Sequence, residues 1–253
     1  MNWSDKSVLV TGACGTVGRT LIDKLLNMGV RRVVALDQAE SGIYEIGQFY
    51  SEETRVEALV GDVRNRDSVL RGMQDVDVVF HGAALKHVNL GEMTPDEIVH
   101  TNVLGVQNVI HAARAAKVER LIFMSSDKAV NPTNVMGTSK LLSERLISAA
   151  NLSASGPVFS STRFGNVLGS SGSVVPTFLD QIKRGVDLTL TDKAMTRFVM
   201  TRDEAADLLV RAAECAEGGE VFVTKMLVMR IPDLAQSVVQ LYAPTLGRDP
   251  AEV

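Results

Sequence analysis

The chain has 253 residues, 45% of them hydrophobic and 22% charged, which suits one large globular domain or a domain with a small annex. The net charge is -4, the pI is near 5.6, and basic and acidic residues alternate instead of forming a basic stripe, which argues against nucleic acid as a partner. No apolar run reaches the length of a membrane span, and MNWSDKSVLV enters a strand without a charged and apolar leader. Cys14 and Cys215 lack CxxC spacing and clustered histidines. A soluble, cytoplasmic protein is expected, with no disulfide framework, no metal site, and both cysteines small and buried.

In chain order, apolar runs of about five residues alternate with helix-period stretches through the first two thirds of the sequence. Strands are predicted at residues 7–11, 32–37, 55–60, 76–81, 120–125 and 158–163, with shorter candidates at 188–190 and 221–224. Helices are predicted at 16–28, 67–72, 95–116, 135–151, 175–184, 202–217 and 231–241. Short polar connections and right-handed crossovers then give an α/β fold, a Rossmann-type doubly wound parallel sheet with helices on both faces. After about Gly165, Gly, Ser and Thr become dense and the alternation loosens. Residues 1–165 are therefore read as a nucleotide-binding domain. Residues 166–253 are read as a small substrate-binding part, interleaved with the first, that uses loops in preference to sheet.

SVLVTGACGTVGRTLIDKL sets strand, glycine loop and helix in the order that makes a glycine pattern informative. Gly12, Gly15 and Gly18 allow a tight turn, a close pyrophosphate approach and tight helix-strand packing, with Cys14, Thr16 and Val17 completing the loop. The helix opening near Thr16 points free N–H groups and its positive dipole end at the phosphates. Asp37 ends the second strand, where it either accepts ribose hydroxyls or serves as a turn residue. Gln38, Ala39 and Glu40 include no arginine for a 2'-phosphate, so NAD is favoured over NADP. In GDVRN, Asp62 and Val63 either flank the adenine, or Asp62 is a simple turn former. HGAAL ends the fourth strand with Ala83 and Ala84, small enough for a cofactor to lie over the sheet edge. Lys86 and His87 follow at once, and His87 also reads as a solvated loop residue. Asn102 is either a mid-helix polar residue or one that opens the backbone to a water near the active site.

Ser126, followed by Met136 and Lys140, resembles the Ser...Tyr-x-x-x-Lys frame of extended short-chain dehydrogenases/reductases, with methionine where tyrosine is usual. The stretches AALKHV (83–88), SSDKAVNPTNVMGTSK (125–140), TRFGNVLGSSGSVVPTF (162–178) and LTDKAMTRFVMT (190–201) together resemble the UDP-N-acetylglucosamine 4,6-dehydratase, CapD-like polysaccharide biosynthesis family. That branch includes members with Met at this position, and the resemblance runs from about residue 6 to 235.

The resemblance implies oxidation of a hexose at C4 by NAD, loss of the C5 proton and the 6-hydroxyl, and return of the hydride to C6. It makes Lys128 the C5 base and Asp127 the acid for the 6-hydroxyl. Lys140 holds the nicotinamide ribose and supplies a cation that lowers the pKa of Lys128. Met136 has no proton to exchange and packs against the nicotinamide or the sugar. The 4-hydroxyl proton goes to Lys128 or Asp127, through a water held by Ser126. Lys86 and Asn102 join the cofactor set. A UDP-sugar is expected on Lys86, His87, Arg163, Asn166, the loop 169–173 with Ser173, and Val174, Thr189 and Arg197. Arg163 and Arg197 either offer paired N–H groups to the diphosphate or form surface salt bridges. The rivals are a UDP-sugar 4-epimerase and a catalytically silent NAD-binding regulator. The family ordinarily continues into a segment resembling RPGEK, which lies beyond DPAEV, so a shortened chain or an absent part of the sugar site is expected. A homo-oligomer is also expected.

Overall fold

The computed structural model describes residues 1–152, 156–170 and 172–250. The chain divides into two compact units, Met1–Phe164 with Ala205–Thr224, and Gly165–Glu204 with Lys225–Val253.

The first unit is built on a parallel sheet of seven strands in the order β3-β2-β1-β4-β5-β6-β9. These are β1 (Ser7–Thr11), β2 (Arg32–Asp37), β3 (Val56–Val60), β4 (Val78–His81), β5 (Arg120–Ser126), β6 (Val158–Phe164) and β9 (Val221–Val223). All five residues of β1 are buried, because a central strand of a parallel sheet is covered on both faces and must be apolar throughout. The strand order reverses between β1 and β4, so the loops leaving these two strands open a crevice at the carboxyl edge.

Helices α1 (Thr16–Asn27), α2 (Glu40–Phe49), α3 (Arg66–Gly72), α4 (Val88–Met93), α5 (Pro95–Ile98), α6 (Gly105–Ala116) and α7 (Val135–Ala149) connect the strands. A core cluster packs Leu9, Val34, Leu36, Val79, Leu121, Phe123 and Phe159 of the sheet against Val106, Val109, Ile110 and Ile147 of α6 and α7. Asn134 caps α7, its Oδ1 accepting from Gly137 N at 2.8 Å. No helix among the described residues is long and apolar enough to cross a membrane.

The second unit holds a three-stranded sheet in the order β10-β8-β7, with β7 (Asn166–Val167) parallel to β8 (Thr196–Met200) and β8 antiparallel to β10 (Leu227–Arg230). Its core joins Phe178 and Ile182 of α8 (Val174–Arg184) to Ile231, Ala235 and Val238 of α10 (Ile231–Tyr242). The unit boundary passes through the first turn of α9 (Arg202–Cys215).

Several expectations are corrected. Residues 188–190 form no strand; Leu188 and Leu190 pack on the core of the second unit. That unit uses a sheet as well as loops. The helix expected over 95–116 is α5, a π-helical segment Val99–Leu104 and α6 in succession. Two helices were not predicted: α2, whose two glycines mask the Ile43 and Ile46 stripe, and α4, which is short. Cys14 is half-buried and Cys215 exposed, so neither is a buried packing residue.

The cap on α7 gives a direct test. Asn134→Ala should cost about 1 kcal/mol, read as a lower urea midpoint with an unchanged slope; an unchanged midpoint would show that the cap contributes nothing.

Candidate functional site

The glycine loop is held by close backbone packing. Gly12 has φ +73°, and a Cβ there would lie 2.7 Å from Ala83 N, so the loops leaving β1 and β4 touch through backbone alone. A Cβ on Gly18 would meet Gly12 O at 2.5 Å, which makes glycine the condition for α1 to start against the turn. Gly15 is the N-cap, with Thr16 and Val17 in the first turn of α1, where backbone N–H groups lack intrahelical partners. Asp37 does more than end β2: its Oδ2 accepts from Cys14 N and its Oδ1 from Ala39 N, both at 3.0 Å. Burial, then the Asp37 charge, push the Cys14 thiol up to about 11, so the loop cysteine is un-ionised at neutral pH. These residues fit a dinucleotide: a turn without side chains, a helix start and a carboxylate at the end of β2.

Asp62 is a turn former with an added ion pair, its carboxylate accepting from Arg64 N at 2.9 Å and Arg64 Nε at 2.8 Å. Burial opposes ionisation of Asp62, but the Arg64 bonds outweigh it and lower the pKa. Val63 is buried in the core. Ala83 and Ala84 are partly exposed behind β4. Lys86 and His87 lie on the exposed surface that follows, and desolvation lowers the Lys86 pKa. Asn102 is a polar residue within the helical segment Val99–Leu104, and its side chain has partners. Its Oδ1 accepts from Leu85 N at 2.8 Å, and its Nδ2 donates to Leu85 O at 2.9 Å and Ser139 Oγ at 3.0 Å. It therefore ties the π-helical segment to the β4 loop and to α7.

The turn after β5 gathers the expected chemical groups. Ser126 Oγ donates to Asp127 Oδ1 at 2.9 Å and accepts from Lys128 N at 3.3 Å, and Lys128 Nζ pairs with the same Asp127 oxygen at 3.1 Å. A Cβ on Gly137 would collide with the Lys128 carbonyl, so glycine lets this turn lie directly against α7. Met136 is 3% exposed, buried in the first unit near Gly91. Lys140 is buried; its Nζ donates to Met124 O at 2.8 Å and sits 4.7 Å from the Phe123 ring centroid. Burial brings the Lys140 pKa down to about 8, against the opposing pull of Glu144. The partner found for Lys128 is Asp127, and the polar partner found for Lys140 is a backbone carbonyl.

Two residues of this region were not singled out in the sequence. His81 is fully buried, with Nδ1 2.7 Å from Thr11 Oγ1, and burial, then the Lys140 charge, drive its pKa to about 3, so it is neutral. Glu144 lies one turn beyond Lys140; it accepts from Ser125 Oγ at 2.5 Å, and from Arg163 Nε at 2.9 Å and Nη2 at 2.7 Å. The paired N–H groups of Arg163 are engaged by Glu144, which is the salt-bridge alternative of the two expected for this residue. The available signal was Ser139, Lys140, Ser143 and Glu144 on a helix otherwise patterned for burial.

In the second unit, Asn166 Nδ2 donates to Phe198 O at 3.0 Å, and exposed Arg197 donates to Thr196 O at 2.9 Å. Thr189 is engaged by Gln181, whose Nε2 donates to Thr189 Oγ1 at 2.9 Å. Ser173 caps α8, its hydroxyl without a protein partner, and Val174 begins that helix. Ser171, in the expected loop 169–173, lies outside the described residues.

Residues 8–251 match the model of the family described as polysaccharide biosynthesis protein. The chain belongs to this family. It is 45% identical to an "uncharacterized membrane protein" of Methanocaldococcus jannaschii over 99% of this chain and 76% of that one. It is 40% identical to the capsular polysaccharide biosynthesis protein CapD of Staphylococcus aureus, covering 94% of this chain and 41% of CapD. A UDP-glucose 4-epimerase of Rickettsia bellii is 39% identical over 94% of this chain and 71% of its own. Among solved structures, Pen from Bacillus thuringiensis superposes with a TM-score of 0.95 at 40% identity, covering 98% of this chain and 78% of Pen.

Two expectations follow. Gly18→Ala should displace the loop and abolish NAD binding in a calorimetric titration, whereas wild-type affinity would show that the close approach is dispensable. Lys140 titrates near about 8 when folded and near about 10.4 unfolded. Between these values the unfolded chain binds more protons, so stability should rise with pH across that window. Urea melts should show the rise, and Lys140→Met should remove it; an equal rise in both would contradict the assignment.

Proposed function

We propose that this chain is an NAD-dependent nucleotide-sugar 4,6-dehydratase acting on UDP-N-acetylglucosamine, with the first unit binding the dinucleotide. The observation that carries the proposal is the Asp127–Lys128 pair at the end of β5 beside a buried Met136. A site for simple alcohol oxidation needs a phenol or equivalent at that methionine. A site for dehydration needs an acid and a base for C6 and C5, and the pair supplies both.

NAD would be held by the glycine loop Gly12–Gly18 and Asp37 and would supply a hydride acceptor and donor for C4 and C6. Lys128 in its neutral form takes the C5 proton, made acidic by the C4 ketone, and protonated Asp127 donates to the departing 6-hydroxyl. Lys128 Nζ stands 3.1 Å from an Asp127 oxygen, so the acid and the base lie within hydrogen-bond reach of each other. Ser126 orients Asp127 through its hydroxyl. Met136 contributes shape alone. Asp127, as the carboxylate, first receives the 4-hydroxyl proton and passes that same proton to the departing 6-hydroxyl, while Lys128 gives the C5 proton back as the hydride reaches C6.

A UDP-sugar 4-epimerase is the second reading, favoured by the Rickettsia bellii relative. It requires the same oxidation but loses no water. Incubation with UDP-N-acetylglucosamine and NAD should give, by mass spectrometry, a product lighter by one water, and Lys128→Ala should slow its formation by about 10²- to 10⁴-fold. A product of unchanged mass would support the epimerase, and full activity of Lys128→Ala would remove the base from the mechanism.

A further inference from the structure

Glu144 is 3% exposed, and a carboxylate so deep in a fold persists only when fully paired. Here both oxygens are occupied, one by Ser125 Oγ and Arg163 Nε and the other by Arg163 Nη2. Ser125 and Arg163 are register partners on β5 and β6, so one carboxylate of α7 fastens two neighbouring strands. The preceding turn of the same helix acts on the preceding residue of the same strand, since Lys140 Nζ holds Met124 O. Immediately after this doubly held strand end come Ser126, Asp127 and Lys128, pressed against α7 at Gly137.

We propose that Glu144 is a positioning residue: by clamping Ser125 and Arg163 it sets where the Asp127–Lys128 turn stands relative to the helix that carries Met136 and Lys140. This rests on the dehydratase reading for its chemical consequence, but not for its structural one. The turn itself is held internally by the bonds from Lys128 N to Ser126 Oγ and from Val130 N to Asp127 O, and by the contacts of Ser126 Oγ and Lys128 Nζ with Asp127 Oδ1. A displacement of the pair by about 1 Å is enough to cost about 10²-fold in rate. Groups that act on the reacting atoms and are out of place by this much lower kcat more than they raise KM.

The test uses Glu144→Gln in the full chain, with two readouts. Hydrogen-deuterium exchange of the Lys128 and Val130 amides should accelerate by more than tenfold, while amides of β2, on the far side of the sheet order, keep their rates. In turnover of UDP-N-acetylglucosamine, kcat should fall by about 10²-fold with KM changed less than twofold, and Glu144→Asp should recover part of the loss. Where Glu144→Gln does not fold, Ser125→Ala removes one arm of the clamp without leaving a buried charge and should show the same pattern at smaller size. Unchanged exchange in the turn of a folded variant overturns the proposal, as does a loss carried entirely by KM. Accelerated exchange in Glu144→Gln together with a wild-type chain that carries out no dehydration refutes the dehydratase reading while leaving the clamp standing.

Discussion

Burying a charge costs several kcal/mol unless a partner is supplied, and α7 buries two in successive turns. Lys140 and Glu144 both meet that demand at the end of β5, one through a carbonyl and the other through a hydroxyl and an arginine. Much of the chemical end depends on this arrangement. It places the helix on the strand, and it leaves the next residues, Asp127 and Lys128, as the first polar side chains able to meet a ligand. An apolar helix face would pack the sheet as well but would not specify one register so narrowly.

A second constraint governs the cofactor end, where backbone must approach backbone. Gly12 against Ala83 and Gly18 against Gly12 draw the loops of β1 and β4 together at the point where the strand order reverses. Asn102 reaches from the π-helical segment to Leu85 and Ser139, so the β4 loop and α7 share a restraint. A widened helical turn is the usual means of directing such a side chain inward, and it recurs at functional sites.

The first unit was largely legible in the sequence because its strands are continuous apolar runs. Predicted boundaries for β1 and β2 coincide with the observed ones, and those for β5 and β6 fall one residue short. The glycine loop and the Asp127–Lys128 turn were legible from local motifs. What escaped depends on tertiary partners: Arg163 reads equally as a phosphate ligand or a salt-bridge residue because nothing local announces Glu144, and Asn102 gives no sign of its bonds because they lie far away in sequence. The sheet of the second unit escaped because β7 is two residues long and β8 is half exposed, so neither shows a buried run.

The absence of a phenol at Met136 sharpens the functional account. His81 is neutral and Lys140 is held by a carbonyl, and the proposed dehydratase therefore assigns its proton transfers to the Asp127–Lys128 pair. The most direct measurement is the product made from UDP-N-acetylglucosamine and NAD in deuterium oxide, read by proton NMR at C5. The account predicts a 6-deoxy-4-keto sugar with deuterium at C5, taken up as the base exchanges with solvent. A 4-epimer that keeps its original C5 proton would contradict it.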